Sequence, residues 1–143
     1  MAIGVYLDAS ILVSLFIKDS LAERADAVLR SGDYRELVVS DFAAAEFASA
    51  LGRRVRTRDL VADDVRAIFR DFDAWATEHS RFVTILAGDI AEAGAALRRL
   101  DLTLRTPDAV NIAIARRERA ALATLDDRMA TAATILGVAV ARP

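Results

Sequence analysis

Acidic residues follow two short apolar segments of the chain, at positions where they could act together. Asp8 comes directly after residues 3–7 and Asp126 after residues 121–125, while Asp108 lies in the first turn of the helix predicted just before the second segment. Short apolar segments of this kind are typical of buried strands. The carboxyl ends of parallel strands share one edge, where open α/β sheets bind their ligands. We therefore expect these three carboxylates to lie near one another.

Glu46 is a fourth candidate because of its surroundings. It is the only charged residue between residues 42 and 52, in a predicted helix of Ala, Phe, Leu and Ser. A helix that is apolar nearly all round is largely buried, and an unpaired buried carboxylate is energetically costly. Glu46 therefore needs a partner, either a cation shared with the other acids or a salt bridge to an Arg. For Asp8 the simpler alternative is that Asp8 or Ser10 only caps the first helix.

Carboxylates that converge need a counter-charge. Two unit charges 4 Å apart repel by about 4 kcal/mol at an effective dielectric constant of 20. The chain has no Cys and a single His, His79, which lies in the polar segment 77–80 and which we interpret as a surface residue. A ligand set made only of oxygen favours Mg²⁺ or Mn²⁺. Such ions assist phosphoryl chemistry, so the acids indicate a phosphodiesterase or phosphatase.

Strands and helices alternate along the chain. Strands are predicted at 3–7, 36–39, 81–86, 121–125 and 138–140, and helices between them, with an Arg-rich break at residues 53–58. Capping-box spacings at Ser20 and Asp89 predict two of the helix starts. This alternation predicts an α/β fold, a three-layer α/β/α sandwich with a mostly parallel sheet of about five strands. At 143 residues, one domain spanning residues 1–143 is expected.

Composition limits the classes of protein. The absence of Cys excludes a disulfide framework and a thiolate zinc site. The first residues lack the pattern of a signal peptide, and no apolar run approaches the ~18 residues of a membrane span. We expect a soluble, cytoplasmic protein that does not bind membranes. The net charge of −2 gives no overall basic field, so contact with nucleic acid requires a local patch.

Four short motifs surround the candidate acids. They are Tyr6-Leu7-Asp8-Ala9-Ser10, Ala45-Glu46-Phe47, Arg105-Thr106-Pro107-Asp108-Ala109 and Ala123-Thr124-Leu125-Asp126. In this order they resemble the PIN-domain ribonucleases, and specifically the VapC toxins of type II toxin–antitoxin pairs. The resemblance covers nearly the whole chain. Each motif alone is weak, but the four together in this order and spacing are specific.

The resemblance implies a metal-dependent endoribonuclease that cleaves single-stranded or looped RNA by in-line attack of a metal-activated water. It implies that Asp8, Glu46, Asp108 and Asp126 surround one or two Mg²⁺ or Mn²⁺ ions. Small hydroxyl side chains at Ser10 and Thr124 would support the acids or a bound water. The resemblance also implies a homodimer, a cognate VapB-type antitoxin, and a larger complex of toxin, antitoxin and operator DNA.

Several alternatives stay open at this point. Asp127 follows Asp126 directly, so either could be the fourth acid, although the Thr-x-Asp pattern favours Asp126. Asn111 lies one turn after Asp108 and could hydrogen-bond a carboxylate or a water in the site, or merely pack.

Arg53 lies seven residues after Glu46, on a similar helical face, and is a candidate RNA contact. Arg54, Arg56 and Arg58 could extend that patch, or the segment could be an ordinary solvated helix end. A catalytically silent PIN fold that acts only as an interaction module is the alternative function. A response-regulator receiver would need a Lys on a late strand, and a dinucleotide-binding module a Gly-rich turn after the first strand; the chain has neither feature.

Overall fold

A four-stranded parallel sheet forms the centre of the protein in a computed structural model, which describes residues 4–142. The strands are β1 (Gly4–Leu7), β2 (Glu36–Ser40), β3 (Ser80–Val83) and β4 (Ala121–Ala123). Their spatial order is β3-β2-β1-β4, and all three neighbouring pairs are parallel. The carboxyl ends of the four strands therefore lie along one edge of the sheet.

Seven helices connect and cover these strands in the described part of the chain. They are α1 (Ala9–Ile17), α2 (Ala22–Arg30), α3 (Asp41–Arg56), α4 (Ala62–His79), α5 (Ala87–Leu97), α6 (Thr106–Arg117) and α7 (Asp127–Ile135). Helices α1 to α4 pack on one another, and α5 packs on α6. Phe16, Phe47, Phe72 and Trp75 form an aromatic cluster that joins α1, α3 and α4.

Strand β1 is the most buried part of the sheet. Val5, Tyr6 and Leu7 have no exposed surface, and β1 lies between β2 and β4. A parallel strand covered on both faces reads as a continuous apolar run, as the sequence of this segment does. Ile3, which the sequence assigns to the same strand, lies outside the described residues. Because β1 is central, the residue that follows it enters the middle of the carboxyl edge.

The predicted α/β class and parallel sheet are confirmed, and the predicted strand count of about five is approximate. The expected fifth strand at 138–140 contributes only a bridge between Val140 and Leu122. Gly137 adopts a left-handed conformation with φ of 81°, and the amide of Val138 donates to the carbonyl of Ala133. Residues 137 and 138 therefore belong to the turn that ends α7, and too few residues remain beside β4 to form a full strand.

Helix boundaries differ from the sequence-based expectation at three places. The Arg-rich break expected at 53–58 is only partly a break: residues 53–56 form the last turn of α3, because Arg is a good helix former and suits a helix C-terminus, and the helix ends there with Thr57 as its C-cap. Asp89 does not begin α5 but lies in its first turn, where its Oδ2 accepts a 2.8 Å hydrogen bond from the amide of Leu86. Ser20 does not cap α2, which begins at Ala22 after Leu21. Among residues 4–142, no helix combines the length and apolarity that crossing a membrane requires.

Candidate active site

Asp8 occupies the carboxyl end of β1 and is the N-cap of α1. Its Oδ1 accepts hydrogen bonds from the hydroxyl of Ser10 at 2.6 Å and from the amide of Ile11 at 3.1 Å. Its Oδ2 accepts a 2.5 Å hydrogen bond from the hydroxyl of Thr124. Asp8 is only 5% exposed. Asp8 does cap the first helix, as the simpler alternative proposed. Capping alone, however, does not explain the hydrogen bond from Thr124, which is distant in sequence.

The two hydroxyls that hold Asp8 also hold the segment after β4. The Ser10 hydroxyl accepts a 2.9 Å hydrogen bond from the amide of Leu125. The Thr124 hydroxyl accepts a 3.1 Å hydrogen bond from the amide of Asp126. Both residues proposed as supports from sequence thus lie against the Asp8 carboxylate. The carboxylate is fixed by side chains from both ends of the chain.

Burial raises the pKa of Asp8, although the hydrogen bonds from Ser10, Thr124 and Ile11 oppose the rise. The charged form is disfavoured because desolvation is the largest influence on the group. A carboxylate kept in such a place without a cationic side chain is more often functional than structural. The site therefore favours a ligand that brings positive charge.

Glu46 lies on α3, and a side chain of α6 holds it. The amide nitrogen of Asn111 donates a 2.6 Å hydrogen bond to Oε1 of Glu46. Burial raises the pKa of Glu46, the hydrogen bond from Asn111 opposes this, and the charges of Asp8 and Asp108 raise it further. Glu46 is therefore close enough to Asp8 and to Asp108 for their charges to act on it. The alternative partner, an Arg in a salt bridge with Glu46, is not observed in the described residues, where the side chain that donates to Glu46 is the amide of Asn111.

Asp108 lies in the first turn of α6, with a side chain that is 19% exposed. Its Oδ2 accepts a 3.1 Å hydrogen bond from the amide of Arg105, just before the helix. The guanidinium of Arg105 is 85% exposed, and its Nε lies 4.0 Å from the same oxygen. Asp108 is thus partly accessible, with one exposed cation beside it.

Asp126 and Asp127 point to different surroundings. Asp126 is exposed and caps α7 by accepting from the amides of Arg128 and Met129 at 2.9 and 3.2 Å. It lines a cavity of about 410 Å³ together with Asp108. Asp127 instead pairs with Arg24 at 2.8 Å, on a side chain that is 86% exposed. Of the two neighbours, only Asp126 shares a cavity with another predicted acid.

The cavity that joins Asp108 to Asp126 also carries two cations. Arg105 and Arg128 line it beside the acids, with a hydroxyl from Thr103. Opposite charges around one polar cavity suit a ligand that has both bound cations and phosphate groups. A separate cavity of about 470 Å³, lined by apolar and charged side chains of α5, α6 and the end of α7, contains none of the four acids.

Arg53 is exposed in the last turn of α3, two helical turns beyond Glu46. Its role as an RNA contact stays a prediction. The neighbouring Arg54 lines a cavity with Ser10 and Asp126, and its guanidinium lies 3.7 Å from the carboxylate of Asp19. Because α3 continues through these residues, their side chains keep a fixed helical relation to Glu46.

The residues fit a hard cation in donor chemistry. The four acids provide only carboxylate oxygens, the donor type that Mg²⁺ and Mn²⁺ prefer, and negative charges already raise the pKa of Glu46. Within residues 4–142, no three acidic or His side chains are close enough to one another to enclose an ion as they stand. A bound cation would therefore require movement of the exposed acids, water ligands, or both.

Tyr6 is the residue of this site that the sequence analysis missed. Its hydroxyl lies 2.6 Å from the hydroxyl of Ser40 and donates a 2.6 Å hydrogen bond to Oδ1 of Asn111. Tyr6 lies two residues before Asp8, so both side chains leave β1 on the same face. A buried phenol needs a hydrogen-bond partner, and this requirement was the available signal.

Comparison with known proteins concerns the family and the fold of the chain. The model of the PIN domain family matches residues 5–135. Comparison with curated protein sequences gives no significant match. Among solved structures, VapC20 of Mycobacterium tuberculosis, a toxin that cleaves the sarcin–ricin loop, superposes with a TM-score of 0.72 at 19% identity and covers 97% of this chain and 99% of its own.

Two toxin–antitoxin structures are also similar in fold. VapBC2 of Rickettsia felis, solved with a fragment of promoter DNA, gives a TM-score of 0.66 at 15% identity, with 96% of each chain covered. A toxin–antitoxin complex from Klebsiella pneumoniae gives 0.61 at 24% identity, with 88% of this chain and 89% of that chain covered. These likenesses concern the fold, while the family model matches most of the sequence. The chain therefore belongs to the PIN domain family.

Proposed function

We propose that this protein is a metal-dependent endoribonuclease, the toxin component of a type II toxin–antitoxin pair of the VapC kind. The observation that carries the proposal is the buried carboxylate of Asp8, placed in the middle of the carboxyl edge and coupled electrostatically to Glu46, which is also coupled to Asp108. The whole chain, residues 1–143, would act as one nuclease domain. Membership of the PIN domain family supports this activity.

Asp8, Glu46, Asp108 and Asp126 would hold Mg²⁺ or Mn²⁺. Such an ion supplies charge neutralisation and a water of lowered pKa for in-line attack on a phosphodiester. Ser10 and Thr124 keep the Asp8 carboxylate in one orientation through hydrogen bonds of 2.6 and 2.5 Å. Asn111 does the same for Glu46. Carboxylates that are fixed before substrate binds need little reorganisation during the reaction.

RNA would enter along the polar cavity beside Asp108 and Asp126. Arg105 and Arg128 line that cavity and could contact phosphates, as could Arg53 further along α3. Phosphate contacts of this type position a nucleic acid without reading its sequence. We propose single-stranded or looped RNA as the substrate class, and VapC20, a toxin that cleaves the sarcin–ricin loop, supports this class.

The partners would be a second copy of the chain and a VapB-type antitoxin, with operator DNA bound by the complex. Two relatives in fold support the proposal, since one was solved as a toxin–antitoxin complex and the other as VapBC2 on promoter DNA. Light scattering of the purified protein should give the mass of a dimer. A monomer at micromolar concentration would contradict the homodimer without affecting the nuclease.

The decisive experiment compares the parent with Asp8→Asn and with Asp71→Asn, a matched change at an exposed acid of α4. Each purified protein is incubated with total bacterial RNA and MgCl₂, and each is induced in growing cells. We expect cleavage and growth arrest for the parent and for Asp71→Asn, and neither effect for Asp8→Asn. Equal cleavage by Asp8→Asn would refute the assignment. No cleavage by any of the three would favour the interaction module.

A further inference from the structure

A continuous chain of hydrogen bonds runs from the core to Glu46. The hydroxyl of Tyr6 lies 2.6 Å from that of Ser40 and 2.6 Å from Oδ1 of Asn111, and Nδ2 of Asn111 lies 2.6 Å from Oε1 of Glu46. Tyr6 and Ser40 have no exposed surface, and Asn111 is 3% exposed. Neither Tyr6 nor Ser40 can therefore touch a substrate.

The donor and the acceptor of each of these hydrogen bonds can be assigned. The carbonyl of Pro107 can only accept, and it lies 3.0 Å from Nδ2 of Asn111, so the nitrogen of the amide must face Pro107 and Glu46. The oxygen of the amide must then face Tyr6, which donates to it. The Tyr6 oxygen consequently accepts from Ser40, whose own oxygen accepts from the amide of Ala43 at the start of α3.

We propose that Tyr6 is a positioning residue that acts through Asn111 to hold the Glu46 carboxylate at the active site. Without the phenol, the amide oxygen of Asn111 would be buried with no donor, a state that proteins avoid. The amide would then rotate or shift, and Glu46 would lose its only fixed partner among the described residues. The effect of Tyr6 on cleavage rests on the proposed function, whereas its effect on Asn111 does not.

The sequence provides an unusually simple probe of this contact. Asn111 is the only Asn, and the chain has no Gln, so the tag-free protein contains a single side-chain carboxamide. Its two protons give one pair of signals in a proton–nitrogen correlation spectrum, which needs no further assignment. Both protons are donated, to Glu46 and to Pro107. They should exchange slowly with solvent in the parent protein.

Three variants separate a positioning role from ordinary packing. In Tyr6→Phe, we expect the two side-chain protons of Asn111 to exchange with solvent about ten times faster than in the parent, as for the loss of one buried hydrogen bond. In Glu46→Ala, the shift of one proton of the pair should change because its carboxylate acceptor is gone. In Tyr34→Phe, the same change at the other tyrosine of the chain, both signals should match the parent.

Backbone amides of β1 provide the reference for general loosening of the fold. The proposal would be overturned if the exchange rate of the Asn111 side-chain protons in Tyr6→Phe equalled the rate in the parent, or rose only as much as the exchange rates of the β1 amides. Tyr6 would then be an ordinary core residue. In RNA cleavage, Tyr6→Phe should lower kcat by about tenfold and leave KM unchanged, because the buried phenol does not contact substrate. A parent that shows the expected exchange pattern but cleaves no RNA would contradict the proposed function and not the positioning by Tyr6.

Discussion

The hydroxyl of Thr124 donates a 2.5 Å hydrogen bond to Oδ2 of Asp8, which joins the end of β4 to the end of β1. The hydroxyl oxygen of Thr124 in turn accepts a hydrogen bond from the amide of Asp126. Replacing Thr124 with Val keeps the shape but leaves a buried carboxylate oxygen and an amide without this partner. We expect Thr124→Val to lower the free energy of unfolding by about 1–3 kcal/mol, measured by urea denaturation.

Two further variants test the cause of that loss. Thr124→Ser keeps the hydroxyl and should recover most of the stability and of the RNA cleavage. Thr131→Val makes the same change at an exposed position of α7, where the hydroxyl only donates to the carbonyl of Asp127. This control should alter the free energy of unfolding by less than about 0.5 kcal/mol. Equal losses in Thr124→Val and Thr131→Val would mean that the contact to Asp8 contributes little.

Asp8 should make the protein less stable as pH rises in the absence of a divalent ion. Burial raises the pKa of Asp8 in the folded state, so the folded protein binds this proton more tightly than the unfolded chain. Stability from this group is therefore complete at low pH and is lost as pH rises from the ordinary carboxyl pKa through the raised value. Asp8→Asn should therefore melt above the parent near neutral pH.

Thermal unfolding of both proteins in EDTA, from about pH 4 to about pH 8, checks this sign. The difference in Tm between Asp8→Asn and the parent should grow with pH. Asp71→Asn should show no such trend. A constant difference across the range would mean that ionisation of Asp8 does not oppose folding.

Divalent cations should reverse this penalty. At about 100 times the dissociation constant, a ligand that binds only the folded state adds about 2.7 kcal/mol, which raises the Tm of a domain of this size by roughly 5–10 °C. We expect this rise with MnCl₂ for the parent and for Asp71→Asn. The double variant Asp8→Asn/Asp108→Asn should show none. A rise that is the same in the double variant would place the cation elsewhere on the protein.

Asp126 and Asp127 should differ in cleavage although they are neighbours. Asp126 shares a cavity with Asp108, whereas Asp127 pairs with Arg24 at the surface. Asn is as good an N-cap as Asp, so Asp126→Asn should keep α7 intact while lowering kcat for RNA by at least about tenfold. Asp127→Asn should retain nearly the activity of the parent. The reverse pattern would make Asp127 the fourth acid.

The pair of Asp89 and Arg117 should be the most important ion pair for stability. Asp89 is 2% exposed, and Arg117 donates to both of its oxygens, at 2.9 and 3.0 Å. Removing one partner of a buried pair typically costs about 3–5 kcal/mol, so Arg117→Ala should lower the urea midpoint strongly. Arg30→Ala breaks the exposed pair with Asp26 and should have almost no effect. Similar small effects for both would mean that water reaches Asp89 in the variant.

The fold class and the strand-end acids could be predicted because both depend on local features of the sequence. Asp8 follows a run of apolar residues that is typical of a buried strand, and Asp126 follows another. Positions that depend on where separate elements meet could not be predicted. Tyr6 and Asn111 are 105 residues apart, and their contact requires the placement of β1 against α6.

Two errors in the predicted elements have local causes of another kind. Residues 53–58 read as a break because of their charge, yet Arg favours helices and the C-terminal end of α3 favours cations. Residues 138–140 read as a strand because of two Val, but Gly137 and the closing turn of α7 leave only Val140 to pair with β4. In both places, the neighbouring helix decided the outcome.

The contact between Asp8 and Thr124 spans 116 residues of sequence, and this separation affects when the site can form during synthesis. Of the four described strands, β1 is made first and its neighbour β4 is made last. Until β4 leaves the ribosome, Asp8 lacks the hydroxyl of Thr124, and one side of β1 lacks its partner strand. Contacts of such long sequence separation are slow to form. A growing chain would therefore carry its central carboxylate in an unassembled site until β4 has been made.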